Sequence, residues 1–326
     1  MFLDKLDRIE IELTTLCNAR CPMCSRQHTE SCIPDKGVPN VSLTAQQVSK
    51  LQLPKNLSLT VSGNFGDPIA NVESYEILDI LTDKCKDVCV DTNASLKTDD
   101  YWSKLGALSN LKQFPIVFSI DGLEDTNSIY RIGTDFKKII NNARLFIKAG
   151  GIAVWKYIVF AHNEHQIEQA REMATAMGFV SFKIEHSTRW LSKSFIVNGN
   201  TISPSTVAMK KENKFKYNVT EGNNISCRSQ NKNMLFITAD FKLMPCSYFN
   251  VDRWKDAEFS DYWNNIENIN GKDFNSLDLY TIEEILETSY FKEQLSNSWL
   301  DGSCWKTCKR LCNTDVYWNK KEIRNS

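Results

Sequence analysis

The stretch "RIEIELTTLCNARCPMC", residues 8–24, joins a short strand-like segment directly to Cys17, Cys21 and Cys24. Working outward, the strand pattern returns at 57–62, 88–92, 116–121, 153–160 and 179–186, whose short length and Ile/Val/Phe content fit buried strands. Between them, 44–51, 72–84, 98–109, 135–149 and 164–177 carry helical spacing. Thr44, Thr98 and Asp135 are N-cap candidates, and Gly150 and Gly178 are stops. Six β/α repeats predict an α/β fold with a parallel sheet and right-handed crossovers, a partial (β/α)6 TIM-like barrel two units short of the eight-fold form. The pattern breaks after Thr188, and 192–226 reads as a linker or irregular segment rich in Asn, Lys, Ser and Thr. A hairpin is expected from Met234 to Cys246, with Asp240 near its turn. The chain therefore divides near 190, into a barrel over 1–190 and a small α+β domain over 191–326.

The 326 residues suffice for a sizeable core, and 42% apolar with 24% charged residues is ordinary for a globular chain. A formal net charge of −1 offers no broad basic surface, which argues against nucleic acid as a partner. The start "MFLDKLDRIE" has no signal-peptide core, and no apolar run approaches the roughly 20 residues of a membrane span. A cytoplasmic location is expected. The eleven cysteines are too sparse for a disulfide scaffold, and eight of them fall in two groups. Clustered thiols in a reducing compartment are more often metal ligands than staples.

Cys-x3-Cys-x2-Cys follows the first predicted strand, at the mouth where such barrels place their chemistry. Three thiolates can hold three irons of a [4Fe–4S] cluster and leave the fourth open, and an open position marks a catalytic site. A zinc knuckle completed by His28, or three unrelated core thiols, is the competing reading. "TTLCNARCPMC" resembles the cluster loop of the radical S-adenosylmethionine (SAM) superfamily, with Met23 where an aromatic usually stands. The resemblance implies that SAM chelates the open iron through its amino and carboxylate groups and is cleaved reductively to a 5′-deoxyadenosyl radical. "SGNFGDP", 62–68, resembles the family's glycine-rich motif, with Gly66, Asp67 and Pro68 in the places of Gly-Glu-Pro. In that motif the glycines let backbone groups approach the SAM ammonium. "DTNAS", 91–95, resembles the Thr-Asn-Gly motif and makes Asn93 a candidate near the ribose. "SIDGLEDTNSIYRIG", 119–133, resembles a segment of members with extra clusters; Ser119 and Arg131 map to residues that hold the SAM carboxylate, with Asp121 in the same mouth. Arginine suits a carboxylate through paired, charge-assisted hydrogen bonds.

Cys227, Cys246, Cys304, Cys308 and Cys312 resemble the ligands of SPASM/twitch extensions. "CRSQNKNMLFITADFKLMPC", 227–246, is similar to their opening hairpin, with Phe241 where glycine is usual. A fully ligated cubane takes four cysteines, so five favour one auxiliary [4Fe–4S] cluster over two. A structural zinc site is the alternative, because thiolate cages accept either metal. Cys85 and Cys89, near a helix-to-strand junction, read as buried small apolar residues, and no functional role is expected for them or for Cys32. His162 and His165 read as capping or polar surface groups, the tryptophans as core, and Glu185 with Ser187 as possible substrate contacts on one face of a strand.

The resemblance implies an enzyme of oxidoreductase type that abstracts hydrogen from an unreactive carbon of a small molecule or a peptide. A reducing donor such as flavodoxin or ferredoxin would supply the electron. A start at the first barrel strand leaves no room for a fused peptide-binding domain, which favours a small molecule or a peptide delivered by another protein. A non-catalytic iron–sulfur or zinc scaffold is the reading from a different class.

Overall fold

The computed structural model describes residues 5–28, 32–187, 194–206 and 224–314. All six predicted strands form: β1 Arg8–Ile11, β2 Ser58–Val61, β3 Asp87–Thr92, β4 Pro115–Ser119, β5 Ile152–Val159 and β6 Ser181–His186. The helices between them are α1 Ala45–Lys50, α2 Ser74–Lys84, α3 Asp99–Lys112, α4 Phe136–Lys148 and α5 Ile167–Met177. The expected caps hold. Thr44 and Gln47 form a reciprocal capping box on α1, while Thr98 and Asp135 accept the amides of Tyr101 and Lys138. Gly178 ends α5 in the left-handed region at φ +90°.

The strands β1 to β6 lie side by side in chain order, each parallel to the next. One face packs against the helices. There Trp102, Phe118, Phe146 and Phe179 meet ring against ring at 5.4–6.3 Å between centroids, mostly edge to face. The other face is polar and partly open. In β3, Val88 and Val90 are buried while Cys89 and Asp91 are only half so, and Asp91 pairs with Lys156 of β5 at 2.7 Å. Cys89 thus differs from the buried apolar role expected for it. Cys85 is buried as expected, at the end of α2.

The expected hairpin forms as β7 Met234–Ile237 and β8 Leu243–Met244. It extends the same sheet, because β7 runs parallel to β1 from Arg8↔Met234 to Ile11↔Ile237, giving the order β8-β7-β1-β2-β3-β4-β5-β6. Phe241, in the glycine position of the turn, adopts φ +59° with its ring fully buried. One hydrophobic core contains Ile9 and Trp102 together with Phe259, Trp263, Tyr290 and Trp305. The expected boundary near 190 falls outside the described residues. Within the expected linker, 194–206 carries a small antiparallel ribbon of Phe195–Val197 and Asn200–Ile202 instead of irregular chain.

Candidate functional site

The cysteine loop leaves β1 and is pinned at its middle by the Arg20 amide, which donates to the Ile132 carbonyl at 2.7 Å. The Cys24 amide donates to the Cys21 carbonyl at 3.0 Å and turns the chain. Cys21 is buried, and Cys17 and Cys24 are half-buried. They pack with Met23, Tyr130, Ile132 and Phe160 in a small apolar cluster that also takes in Cys32. Donors point at each sulfur: the Ala19 amide and Asn93 Nδ2 at Cys17 (3.3 and 3.6 Å), the Arg26 amide at Cys24 (3.5 Å), and Arg131 Nη1 at Cys21 (4.0 Å). Burial nevertheless pushes the Cys17 thiol far up and the Cys21 thiol up to about 12. Thiolates here therefore call for a cationic centre. Among the described residues, no group of three His, Cys, Asp or Glu side chains closes on a single metal ion. A cubane differs, since it takes each thiolate on a separate iron.

The glycine-rich loop lies directly on the cysteine loop. A Cβ on Gly66 would stand 1.8 Å from the Thr14 carbonyl oxygen, so the residue is glycine because another backbone occupies the space. Asp67 is buried and ties two loops together. Its carboxylate accepts from the Ile69 amide (3.0 Å), Thr92 Oγ1 (2.8 Å) and the Asn93 amide (2.6 Å). Burial raises its carboxyl despite these donors. Asn93, also buried, donates to Asn18 Oδ1 at 3.1 Å as well as facing Cys17. Ser119 is buried at the end of β4. Beyond it, Asp121 is fully buried and accepts from Arg131 Nε at 2.6 Å and from the Ile158 amide at 2.7 Å. The loops after β1, β2, β3 and β4 thus link Cys17 to Asn93 and Asp67, and Cys21 to Arg131 and Asp121, with Gly66 packed on the cysteine loop and Ser119 buried at the end of β4.

Sequence reading missed three supports. Glu12 is 1% exposed at the end of β1; it accepts from the Phe65 amide at 2.7 Å, the Gly66 amide at 3.2 Å and Asn250 Nδ2 at 2.9 Å. Asn163 donates to the Asp121 and Ile158 carbonyls at 2.8 and 3.0 Å, fixing the ends of β4 and β5. Third is the Asp91–Lys156 pair. A charged residue in an apolar strand was the available signal for Glu12. His162 departs from its expected surface role: its ring stacks on Phe160 at 5.3 Å, and both ring nitrogens are buried with no hydrogen-bond partner among the described residues. Burial keeps it neutral, pushing its pKa down to about 4. Glu185 is exposed on β6.

The C-terminal cysteines also converge. Cys227 lies close enough to Cys312, and Cys304 to Cys308, for each to shift the other's titration. The neighbouring Cys227 thiol, with Arg228 nearby, pushes Cys312 down to about 6. Cys246 precedes α6, Ser247–Lys255, and the Tyr248 and Phe249 amides face its sulfur; burial still pushes its thiol up to about 12. A cavity of about 170 Å³ is lined by Cys227, Cys246, Cys308 and Cys312, with Trp299 and Arg228 among its walls. Cys304 is absent from that lining.

No family model matches the sequence, and no curated protein does. Solved structures do share the fold. Native anSMEcpe with bound AdoMet aligns at 15% identity and TM-score 0.55, covering 88% of this chain and 82% of that one. Streptococcus suis SuiB bound to S-adenosylmethionine aligns at 14% identity and TM-score 0.52, covering 82% and 69%. SuiB bound to precursor peptide SuiA gives 13% identity and TM-score 0.52, covering 78% and 66%. These neighbours are radical SAM superfamily members.

Proposed function

We propose that the chain is a radical SAM enzyme with one auxiliary [4Fe–4S] cluster, acting on a peptide or a small molecule. The observation that carries this is the meeting of Cys17, Cys21 and Cys24 with Asn93 and the Arg131–Asp121 pair at the ends of successive parallel strands. The residues fit the group: three buried or half-buried thiols with donors on each sulfur, and an arginine beside them. When bound, the cluster supplies an electron that splits SAM and yields the radical that abstracts hydrogen. Cys17, Cys21 and Cys24 would hold three irons. Asp121 occupies the Nε edge of Arg131, so the SAM carboxylate would meet its Nη groups, with Ser119 beside them. Asn93 would face the ribose, and Gly66 with Asp67 would shape the wall near the SAM ammonium.

Cys227, Cys246, Cys308 and Cys312, which line one cavity, are the proposed auxiliary ligands, with Cys304 behind Cys308. The SuiB complex with its precursor peptide supports a peptide substrate. The polar open face of the sheet, with Asp91 and Lys156, supports a polar one of either class. A flavodoxin or ferredoxin is the proposed donor, and the protein is proposed to work in the cytoplasm. A non-catalytic scaffold is the alternative, and 5′-deoxyadenosine formation separates the two.

Metal analysis tests this reading. Anaerobically reconstituted protein should hold about eight irons per chain, four in each cubane, and Cys246→Ala should lower the count toward about four. About four irons with one zinc in the wild-type protein would place a structural zinc at the second site.

A further inference from the structure

Glu12 is a carboxylate that the proposed chemistry does not use, yet it is buried where three parts of the chain meet. Its Oε1 accepts from Phe65 and Gly66, two consecutive amides of the glycine-rich loop. Its Oε2 accepts from Asn250 Nδ2, which also donates to Asn64 Oδ1 of the same loop at 3.1 Å. Asn250 lies on α6, four residues after Cys246, and its own oxygen accepts from Arg253 Nε at 3.1 Å. Arg253 is in turn paired with Asp240, at the turn between β7 and β8. A buried carboxylate costs free energy unless each oxygen is satisfied, and among the described residues its donors are Phe65 and Gly66 of the loop and Asn250 of α6.

We infer that Glu12 is a positioning residue for the SAM-binding loop, and that through Asn250 it makes SAM affinity depend on α6, the helix that starts at the auxiliary cysteine Cys246. The inference rests on the radical SAM reading for its ligand. Its mechanical half concerns the loop alone. Phe65 and Gly66 have their amides fixed from below by Glu12, while the Gly66 backbone is pressed on Thr14 from the other side. Removing the acceptor frees the segment that would face the SAM ammonium. Removing Asn250 leaves Oε2 without its donor and releases Asn64.

Three variants test it: Glu12→Leu, Glu12→Gln and Asn250→Ala. Amide exchange across 62–68 is read on the metal-free chain, and SAM affinity is read on the reconstituted protein by titration and by the change in the reduced cluster's EPR signal. Glu12→Leu should speed exchange at Phe65 and Gly66 and weaken SAM binding by about tenfold or more, with N-terminal iron retained. Glu12→Gln keeps one carbonyl oxygen for both amides but sets its NH2 group against Asn250 Nδ2, so exchange at Phe65 and Gly66 should stay near wild type while SAM affinity falls about as far as in Asn250→Ala. Asn250→Ala should weaken binding about threefold or more, although it lies on the C-terminal helix. Unchanged exchange at 62–68 in Glu12→Leu would overturn the positioning role, and wild-type affinity in Asn250→Ala would overturn the coupling to α6. Failure of the wild-type protein to bind SAM would count against the proposed function instead, with the exchange comparison still deciding the loop.

Discussion

Arg131 carries two duties at once: it neutralises Asp121, which has no exposed surface, and it stands 4.0 Å from Cys21. Arg131→Ala should therefore lower stability by about 3–5 kcal/mol, because a buried carboxylate is left unpaired. It should also cost about 2–4 kcal/mol in SAM binding. Arg131→Lys separates the two effects, since it keeps the charge for Asp121 and loses the planar fork. The expected outcome is near-native melting with affinity reduced about tenfold or more; wild-type affinity in Arg131→Lys would remove this residue from the carboxylate site. Glu12 gives a pH signature. Burial raises its pKa from 4.5 to about 7 in the folded state. Between those values the folded chain holds more protons than the unfolded one, so stability falls as pH rises from about 4.5 to 7 and levels off above. The shift corresponds to roughly 3 kcal/mol. His162, its pKa pushed down to about 4, contributes a slope of opposite sign below about pH 6.5. The Glu12 contribution is therefore read as a difference: in denaturant unfolding the wild type should lose stability relative to Glu12→Gln as pH rises through that range. At this scale the cysteines, Asn93 and Arg131 were legible because their spacing is a motif. Glu12 and Asn250 were not, because 238 residues separate hydrogen-bonded partners.

Among the elements, the β7–β8 turn shows best how packing overrides a local rule. Phe241 holds φ +59°, a conformation that costs an L-residue about 1–2 kcal/mol, yet its ring has no exposed surface. Its amide donates to Thr238 and its carbonyl accepts from Leu277, both at 3.0 Å, so the turn is held on both sides. Phe241→Gly would relieve the strain and leave a cavity that costs about 3–5 kcal/mol. The net loss should be about 2–3 kcal/mol, seen as a lower denaturant midpoint at an unchanged m-value. A more stable glycine variant would mean that strain outweighs burial. The six β/α units could be read from their apolar runs and caps, since each is decided by neighbours in sequence. The parallel pairing of β7 with β1 could not. A strand carries no mark of which distant edge it will join, so the hairpin read as part of a separate lobe.

For the whole molecule, the sheet serves as a ruler: loops from four successive strand ends meet at the cysteine loop, and β7 brings the second cysteine group onto the same frame. Among the described residues no helix is long and apolar enough to cross a membrane. The two cysteine groups sit in separate apolar clusters on this one sheet, and Asn250 of α6 ties the helix after Cys246 to Glu12 and Asn64. Which substrate enters was not legible, because the polar open face carries no motif and its ion pair joins residues 65 positions apart. The most direct measurement is 5′-deoxyadenosine formation by anaerobically reconstituted protein given SAM and a strong reductant. The wild type should produce it, while the triple variant Cys17→Ala, Cys21→Ala, Cys24→Ala should stay folded, hold about four fewer irons and produce none. Undiminished 5′-deoxyadenosine from the triple variant, or none from fully loaded wild-type protein, would contradict a radical SAM active site at this loop.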